Sequence, residues 1–495
     1  MFKNRILLLS LALTGGVAVW GIADTAGLAS FSSTVVGTMF KSRGWFIMLT
    51  ATLLLFLCIW LAFSKYGRIK LGKDDDEPEF STVSWLAMLF AAGMGVGLLY
   101  FGSAEPLFHY KTFLPYMDPP QAAQQALFAT NFHWGLHAWA IYATVGLIIA
   151  YFSFRKGTPN LISAPIRNVF GNRGWPKWVG GFSDLMAITA IAIGVGGSIA
   201  IGVFQVQAGV VSLFGLEKPG MTLSMIIFGL LFIAYLAPLT VDLGKGMALL
   251  SNTAMIIAGC LMLFVILTGP TSYIMSVIMG GAGDYFSRVL TQGFQTLTFY
   301  DEVAGNWFQS WTLTYMVWWL AWSPFVGVFI ARISKGRTIK EFLLGVVLVP
   351  SVFSIFWFGV FGSIGFFGVL KTNVAILEVV ETHIDSTTFF VLEHLPFSVL
   401  TIGATVIAAF LFVVTSVVSA AFVLSMFSSG GDLNPSTKTK LVWGVILGAL
   451  GLVMIFSNSI DAVKSIIALG AMPFVYIVLL IAVCFIKELR KEVCK

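Results

Sequence analysis

The chain has 495 residues, of which 58% are hydrophobic and 11% charged, and its mean hydropathy is +0.91. Soluble domains carry about 25% charged residues, so a set of water-soluble domains is excluded and one integral membrane unit is expected. The net charge of +6 does not indicate nucleic acid, because the basic residues sit in short loops, where they set membrane orientation.

Apolar stretches long enough to span a bilayer fall at 6–23, 45–64, 82–102, 133–153, 183–213, 222–240, 249–268, 309–330, 344–368, 398–427, 440–459 and 462–486. The first follows a short basic start like that of a signal peptide, but its length and the eleven further stretches favour a first membrane helix. Stretch 183–213 is too long and glycine-rich for one straight helix, so a break or strong tilt is expected near Gly194 to Gly197. Segment 271–300 mixes Tyr273, Tyr285 and Phe286 with Asp284 and Arg288, which predicts an amphipathic surface helix rather than a plain loop. With the N-terminus inside, twelve spans place 22 Lys and Arg residues on the inner side and 7 on the outer, so both termini are expected in the cytoplasm. Four cysteines (Cys58, Cys260, Cys484 and Cys494) form no close pair in the sequence, which suggests neither a disulfide framework nor a zinc site.

The third stretch contains AAGMGVGLLYFGSAEP, with Gly93, Gly95 and Gly97 alternating in an apolar run. Each glycine weakens a helix by about 1 kcal/mol relative to Ala, and three so close invite unwinding where free carbonyls face a ligand. Read alone, the same glycines fit close helix packing equally well. In the fourth stretch, HWGLHAWAIY, Trp139 and Tyr142 lie one turn apart and Trp134 sits near its start. His133 and His137 have the i, i+4 spacing of a metal pair, but no carboxylate or further His accompanies them on this helix, so packing or hydrogen bonding is expected.

The eighth stretch opens WTLTYMVWWLAWSPFVGVFIARISKGRTIKEF at Trp311. Trp prefers the membrane interface, yet Trp318, Trp319 and Trp322 fall inside an apolar helix, with Phe325 one turn on and Pro324 able to kink it. Indoles at membrane depth suit a cation, which the ring quadrupole attracts. In the tenth stretch Thr415 and Ser416 carry hydroxyls that either bond back one turn or help coordinate a small hard cation. Acids and bases are nearly absent from the helix centres, with Glu105, Asp184 and Arg332 near ends, so no buried proton relay is expected. Neither a phosphate-binding glycine loop followed by Lys nor a nucleophile–base pair stands out, which argues against ATP drive and against an enzyme.

Together GMGVGL with FGSAEP, HWGLHAWAIY, and WWLAWSPFVGVFIARISKGRTIKEF, in this order, resemble the betaine/choline/carnitine transporter family over most of the chain. The resemblance implies an all-α integral membrane protein of twelve transmembrane helices. Two inverted five-helix repeats of LeuT type (helices 3–7 and 8–12) would follow two extra helices, with substrate bound between the repeats. The single domain 1–495 would comprise two peripheral helices and a linker (1–80), a first repeat (81–270), an amphipathic segment (271–308), a second repeat (309–486) and a short tail (487–495). By resemblance, Trp318, Trp319 and Trp322 form an aromatic box, and Trp134, Trp139 and Tyr142 line the substrate path. Gly93, Met94 and Gly95 unwind against substrate. Ala91, Met94 and Phe412 give carbonyls to sodium, Thr415 and Ser416 its hydroxyls, and Phe325 lies near a second cation site.

Met316 and Thr314 stand where the family often has aromatics, so the box is expected to be smaller or more polar on one side. Val418, Ile191 and Val195 replace oxygen-bearing residues near the second sodium site, leaving its presence open. Ala254 and Val326 stand where sodium-independent exchangers carry Arg and Met, and exchange without sodium is disfavoured. The expected function is sodium-coupled import of a small onium or zwitterionic solute, such as glycine betaine, choline, carnitine or a sulfonium analogue, across a bacterial inner membrane. No cofactor is expected beyond the coupling sodium ion. A homotrimer is implied by the resemblance. A sodium-independent exchanger is the alternative, and a channel or membrane sensor a more distant one.

Overall fold

The computed structural model describes residues 5–93, 95–216, 220–240, 244–372 and 374–493. Among them the chain is helical, apart from loops and one isolated antiparallel bridge between Lys70 and Thr338. A backbone in lipid has no water to bond, so helices that close their own hydrogen bonds are the natural outcome of these apolar runs.

The helices are α1 (Arg5–Ala23), α2 (Thr25–Phe63), α3 (Thr82–Gly93), α4 (Val96–Phe113), α5 (Pro119–Trp134), α6 (Leu136–Ala150) and α7 (Ala164–Phe170). Then come α8 (Trp175–Phe214), α9 (Met221–Leu239), α10 (Gly244–Thr268), α11 (Thr271–Gln292), α12 (Glu302–Trp307), α13 (Thr314–Arg332) and α14 (Ile339–Leu343). The last are α15 (Val349–Lys371), α16 (Ile376–Thr382), α17 (Thr387–Glu393), α18 (Ser398–Ser428), α19 (Thr437–Phe456), α20 (Ile460–Ala471) and α21 (Phe474–Val493). Side-chain caps start several of them: Asp24 accepts from Gly27 N, and Asp118 accepts from Gln121 N beside Pro119.

Among the described residues ten helices are long and apolar enough to cross a membrane, or eleven if α20 and α21, bent by 41°, make one span. The expected third span is not one helix: α3 and α4 stand on either side of a break that includes Gly95. The second begins at Thr25 rather than 45, because Asp24 caps the helix and no proline interrupts the run from there to Phe63.

Of the break or strong tilt expected near Gly194 to Gly197, the break does not occur. Helix α8 runs unbroken for 40 residues. Its glycines let other helices approach: a Cβ on Gly194 would lie 3.2 Å from the Trp322 indole, on Gly196 2.8 Å from Leu450, and on Gly197 2.3 Å from Ile467. Small residues at such crossings exchange helix propensity for close backbone packing.

Segment 271–300 is helical through Gln292, as expected. Ile274, Ile278, Tyr285 and Val289 form its buried face, while Met279 and Phe286 are exposed. Tyr285 fixes a second break. Its hydroxyl accepts from Leu136 N at 2.7 Å, and a Cβ on Gly135 would fall 2.1 Å from that oxygen, so only glycine fits between α5 and α6.

Candidate substrate cavity

Three interrupted or proline-bearing elements converge at the centre. Helix α4 starts at Gly95, α5 ends at Trp134 before the Gly135 break, and α13 carries the tryptophans. Pro324 cannot donate to the carbonyl of Leu320, and the Ser323 hydroxyl donates to it instead at 2.9 Å, so the helix continues past the proline. A π-helical turn, Phe308–Leu313, leads into α13, and such turns re-aim the side chains beyond them.

Between these elements lies a cavity of about 40 Å³, bounded by Trp318, Trp319 and Trp322 of α13 and by Trp134 and Tyr142. Gly95, Gly97 and Phe101 close it on the α4 side, and Ser198 and Ser416 complete it from α8 and α18. None of its described lining residues is charged. The rings meet mostly edge to face: Trp134 and Trp319 centroids are 5.1 Å apart at 70°, and Tyr142 and Trp319 5.8 Å apart at 84°. The Trp319 indole donates to the His133 carbonyl at 2.8 Å, which pins its plane. Two buried polar atoms on this lining, the Tyr142 hydroxyl and Trp322 Nε1, have no hydrogen-bond partner. Buried polar groups are ordinarily satisfied, so both are available to a ligand or a water.

The expected residues separate into those on this lining and those behind it. Trp318, Trp319, Trp322, Trp134, Tyr142, Gly95 and Ser416 line the cavity. Trp139 lies beside it, edge-on to Tyr142 at 5.6 Å, and Phe325 abuts Trp322 at 5.7 Å. Thr415 is buried on α18, and its hydroxyl donates to the carbonyls of Leu411 (3.0 Å) and Phe412 (3.2 Å), which leaves its lone pairs free for a cation. A Cβ on Gly95 would be 3.9 Å from the Ser416 hydroxyl, so α18 meets the α3–α4 break where the hydroxyl pair was expected to act. Met94 lies outside the described residues, and Ala91 and Gly93 enter only as helical backbone of α3. Thr314 and Met316 are buried but off the lining. The Thr314 hydroxyl donates to the Gln309 carbonyl.

Tyr315 was missed. It lines the cavity, stacked on Trp318 at 6.0 Å and 19°. Its spacing from Trp318, Trp319 and Trp322 is i, i+3, i+4 and i+7, the stripe of one helix face, and that pattern was available in the sequence.

The larger surprise is Glu105. Expected near a helix end, with no buried relay of acids and bases, it instead lies in the middle of α4, fully buried, and it joins Tyr315, Trp134, His133 and His109. His137 goes elsewhere, 3.4 Å from the Thr52 hydroxyl, so the two histidines of the fourth stretch do not share a site.

A wider cavity of about 630 Å³ opens at the end of the bundle formed by the segments around 306–311, 380–385 and 458–464. Trp307, Trp311, Lys464 and Asp385 are among its walls. Burial raises the Asp385 carboxyl above its usual range. Trp311 faces Tyr315 at 6.1 Å and Phe101 at 6.2 Å, so an aromatic layer separates this opening from the central cavity.

The betaine/carnitine/choline transporter family model (BCCT) matches residues 5–494. The chain is 39% identical to the glycine betaine transporter OpuD of Bacillus subtilis, over 99% of this chain and 95% of that one. It is 36% identical to an ectoine/hydroxyectoine transporter of Virgibacillus pantothenticus, over 90% and 89%. It is also 36% identical to the osmo-independent choline transporter BetT1 of Acinetobacter baylyi, over 91% and 86%.

Proposed function

The chain belongs to the betaine/carnitine/choline transporter family, as a multi-pass membrane transporter, and we propose that it imports a small quaternary-ammonium or related onium solute by sodium-driven alternating access. The observation that carries this reading is the uncharged cavity walled by Trp134, Tyr142, Tyr315, Trp318, Trp319 and Trp322. A methylated cation donates no strong hydrogen bond, so ring faces replace its water, each contributing about 0.5–2 kcal/mol. The unpartnered Tyr142 hydroxyl and Trp322 indole N–H are donors suited to the carboxylate of a zwitterion such as glycine betaine.

Sodium would sit beside the cavity, held by Thr415 and Ser416 of α18 and by backbone carbonyls at the α3–α4 break. The free lone pairs of Thr415 and the approach of Ser416 to Gly95 support this placement. An ion bound there would favour the conformation that accepts substrate, and the sodium gradient would then bias the cycle. The broken helix at mid-fold agrees with transporters whose discontinuous helices surround the substrate between repeats.

Purified protein in proteoliposomes tests this directly. Uptake of labelled glycine betaine or choline should follow an imposed inward sodium gradient and vanish when potassium replaces sodium. Uptake that persists unchanged in potassium would favour exchange instead. A thermal-shift screen over onium compounds, with and without sodium, would identify the substrate.

A further inference from the structure

Glu105 on α4 accepts at both carboxylate oxygens. His133 Nδ1 (2.8 Å) and His109 Nε2 (3.4 Å) meet Oε1, while Trp134 Nε1 (2.9 Å) and the Tyr315 hydroxyl meet Oε2. A carboxylate has acceptor sites for all four, and a protonated acid would lose one of them.

The two histidines are not equivalent. The Trp307 indole donates to His109 Nδ1 at 3.1 Å. An indole nitrogen only donates, so Nδ1 holds a lone pair and the single ring hydrogen of His109 is on Nε2. A second proton on His109 would break the Trp307 bond. His133 differs, because its Nε2 faces the Thr312 hydroxyl at 2.9 Å. A hydroxyl accepts or donates by rotating, so His133 keeps both bonds as imidazole or as imidazolium. The ligand atoms of Glu105, His109 and His133 lie within 4.8 Å of one another, but a metal would need the Nε2 lone pair that the Trp307 bond assigns to hydrogen.

The other ionisable groups facing the cluster are Tyr315 on α13, Tyr100 on α4 and Lys464 on α20, the last 3.7 Å from the Trp311 ring and 3.9 Å from Asp461. Whatever Lys464 contributes, a proton added at His133 raises the local charge by one. The substrate cavity is one bond away. The His133 carbonyl holds the Trp319 indole, and Trp134, the next residue, is a cavity wall bonded to the same carboxylate. Thr312 belongs to the π-helical turn whose Ser310 and Trp311 line the wide opening.

We propose that His133, paired with Glu105, is a proton-binding site that competes with the onium cation, so that binding the cation releases a proton. The inference rests on the onium reading above, so its first test uses no onium. In detergent, the difference in melting temperature between wild type and His133→Gln is expected to depend on pH, and Thr312→Val, which leaves all four bonds to Glu105, should alter that dependence. Differences that stay flat with pH in both variants overturn the proton site. The second test is calorimetric titration with glycine betaine and choline in two buffers of different ionisation enthalpy. Wild type should release up to one proton per cation and lose affinity as pH falls, by at most about tenfold per unit, and His133→Gln should bind without that dependence. Binding with no proton release and no pH dependence overturns the coupling. Failure of every onium to bind, with the melting profile as expected, overturns the onium reading and leaves the proton site standing.

Discussion

Replacing Glu105 by Gln changes one oxygen to an amide nitrogen and almost nothing in shape. The structure fixes the consequence. If the amide NH2 takes the Oε1 place, it faces His109 Nε2, whose hydrogen is held there by Trp307. If it takes the Oε2 place, it faces Trp134 Nε1, which can only donate. His133 and Tyr315 can adapt, by tautomer and by hydroxyl rotation, but one fixed donor is stranded in either orientation. A buried donor without a partner costs about 1–3 kcal/mol, and a lost hydrogen bond to a charged group about 1.5–3 kcal/mol. The loss should appear as a lower melting temperature in detergent. The double-mutant cycle is the sharper assay. In a Trp134→Phe background the Oε2 side holds no fixed donor, so Glu105→Gln should cost measurably less there than in wild type. Strictly additive costs in that cycle, or a Glu105→Gln protein with wild-type melting and uptake, would refute the reasoning.

Trp319→Leu removes the ring that touches both Trp134 and Tyr142; it should abolish uptake while the protein still reaches the membrane in normal amount, and normal uptake would count against the aromatic cavity. Gly97→Ala places a methyl 2.8 Å from the rigid Trp134 ring, and overpacking of about 1–3 kcal/mol should weaken onium binding in a direct titration. Tyr142→Phe deletes one of the unpartnered donors and should lower affinity for glycine betaine more than for choline, measured side by side. Ser416→Ala should raise the sodium concentration needed for half-maximal uptake.

Much of the site was legible in the sequence for a local reason. Helical spacing puts Trp318, Trp319 and Trp322 near one another whatever surrounds them, and alternating glycines mark the weak point at Gly95. Tyr315 belonged to the same stripe and needed only the i, i+3, i+4, i+7 count. Glu105 was not legible, because its position near a hydrophobic run's end says nothing about which distant donors reach it. His133 is 28 residues away and Tyr315 210 residues away.

The glycines of α8 make the same point in reverse. Their composition suggests a break, yet the helix is continuous, because Trp322, Leu450 and Ile467 from three other elements need the space. The sequence by itself determined that this chain is a membrane bundle with an aromatic helix and a weakened one, since apolar length and local periodicity follow from adjacent residues alone. Tertiary structure decided which rings face one another, which histidine can accept a proton and which glycines open the backbone rather than admit a neighbour, because each depends on contacts between residues far apart in the chain.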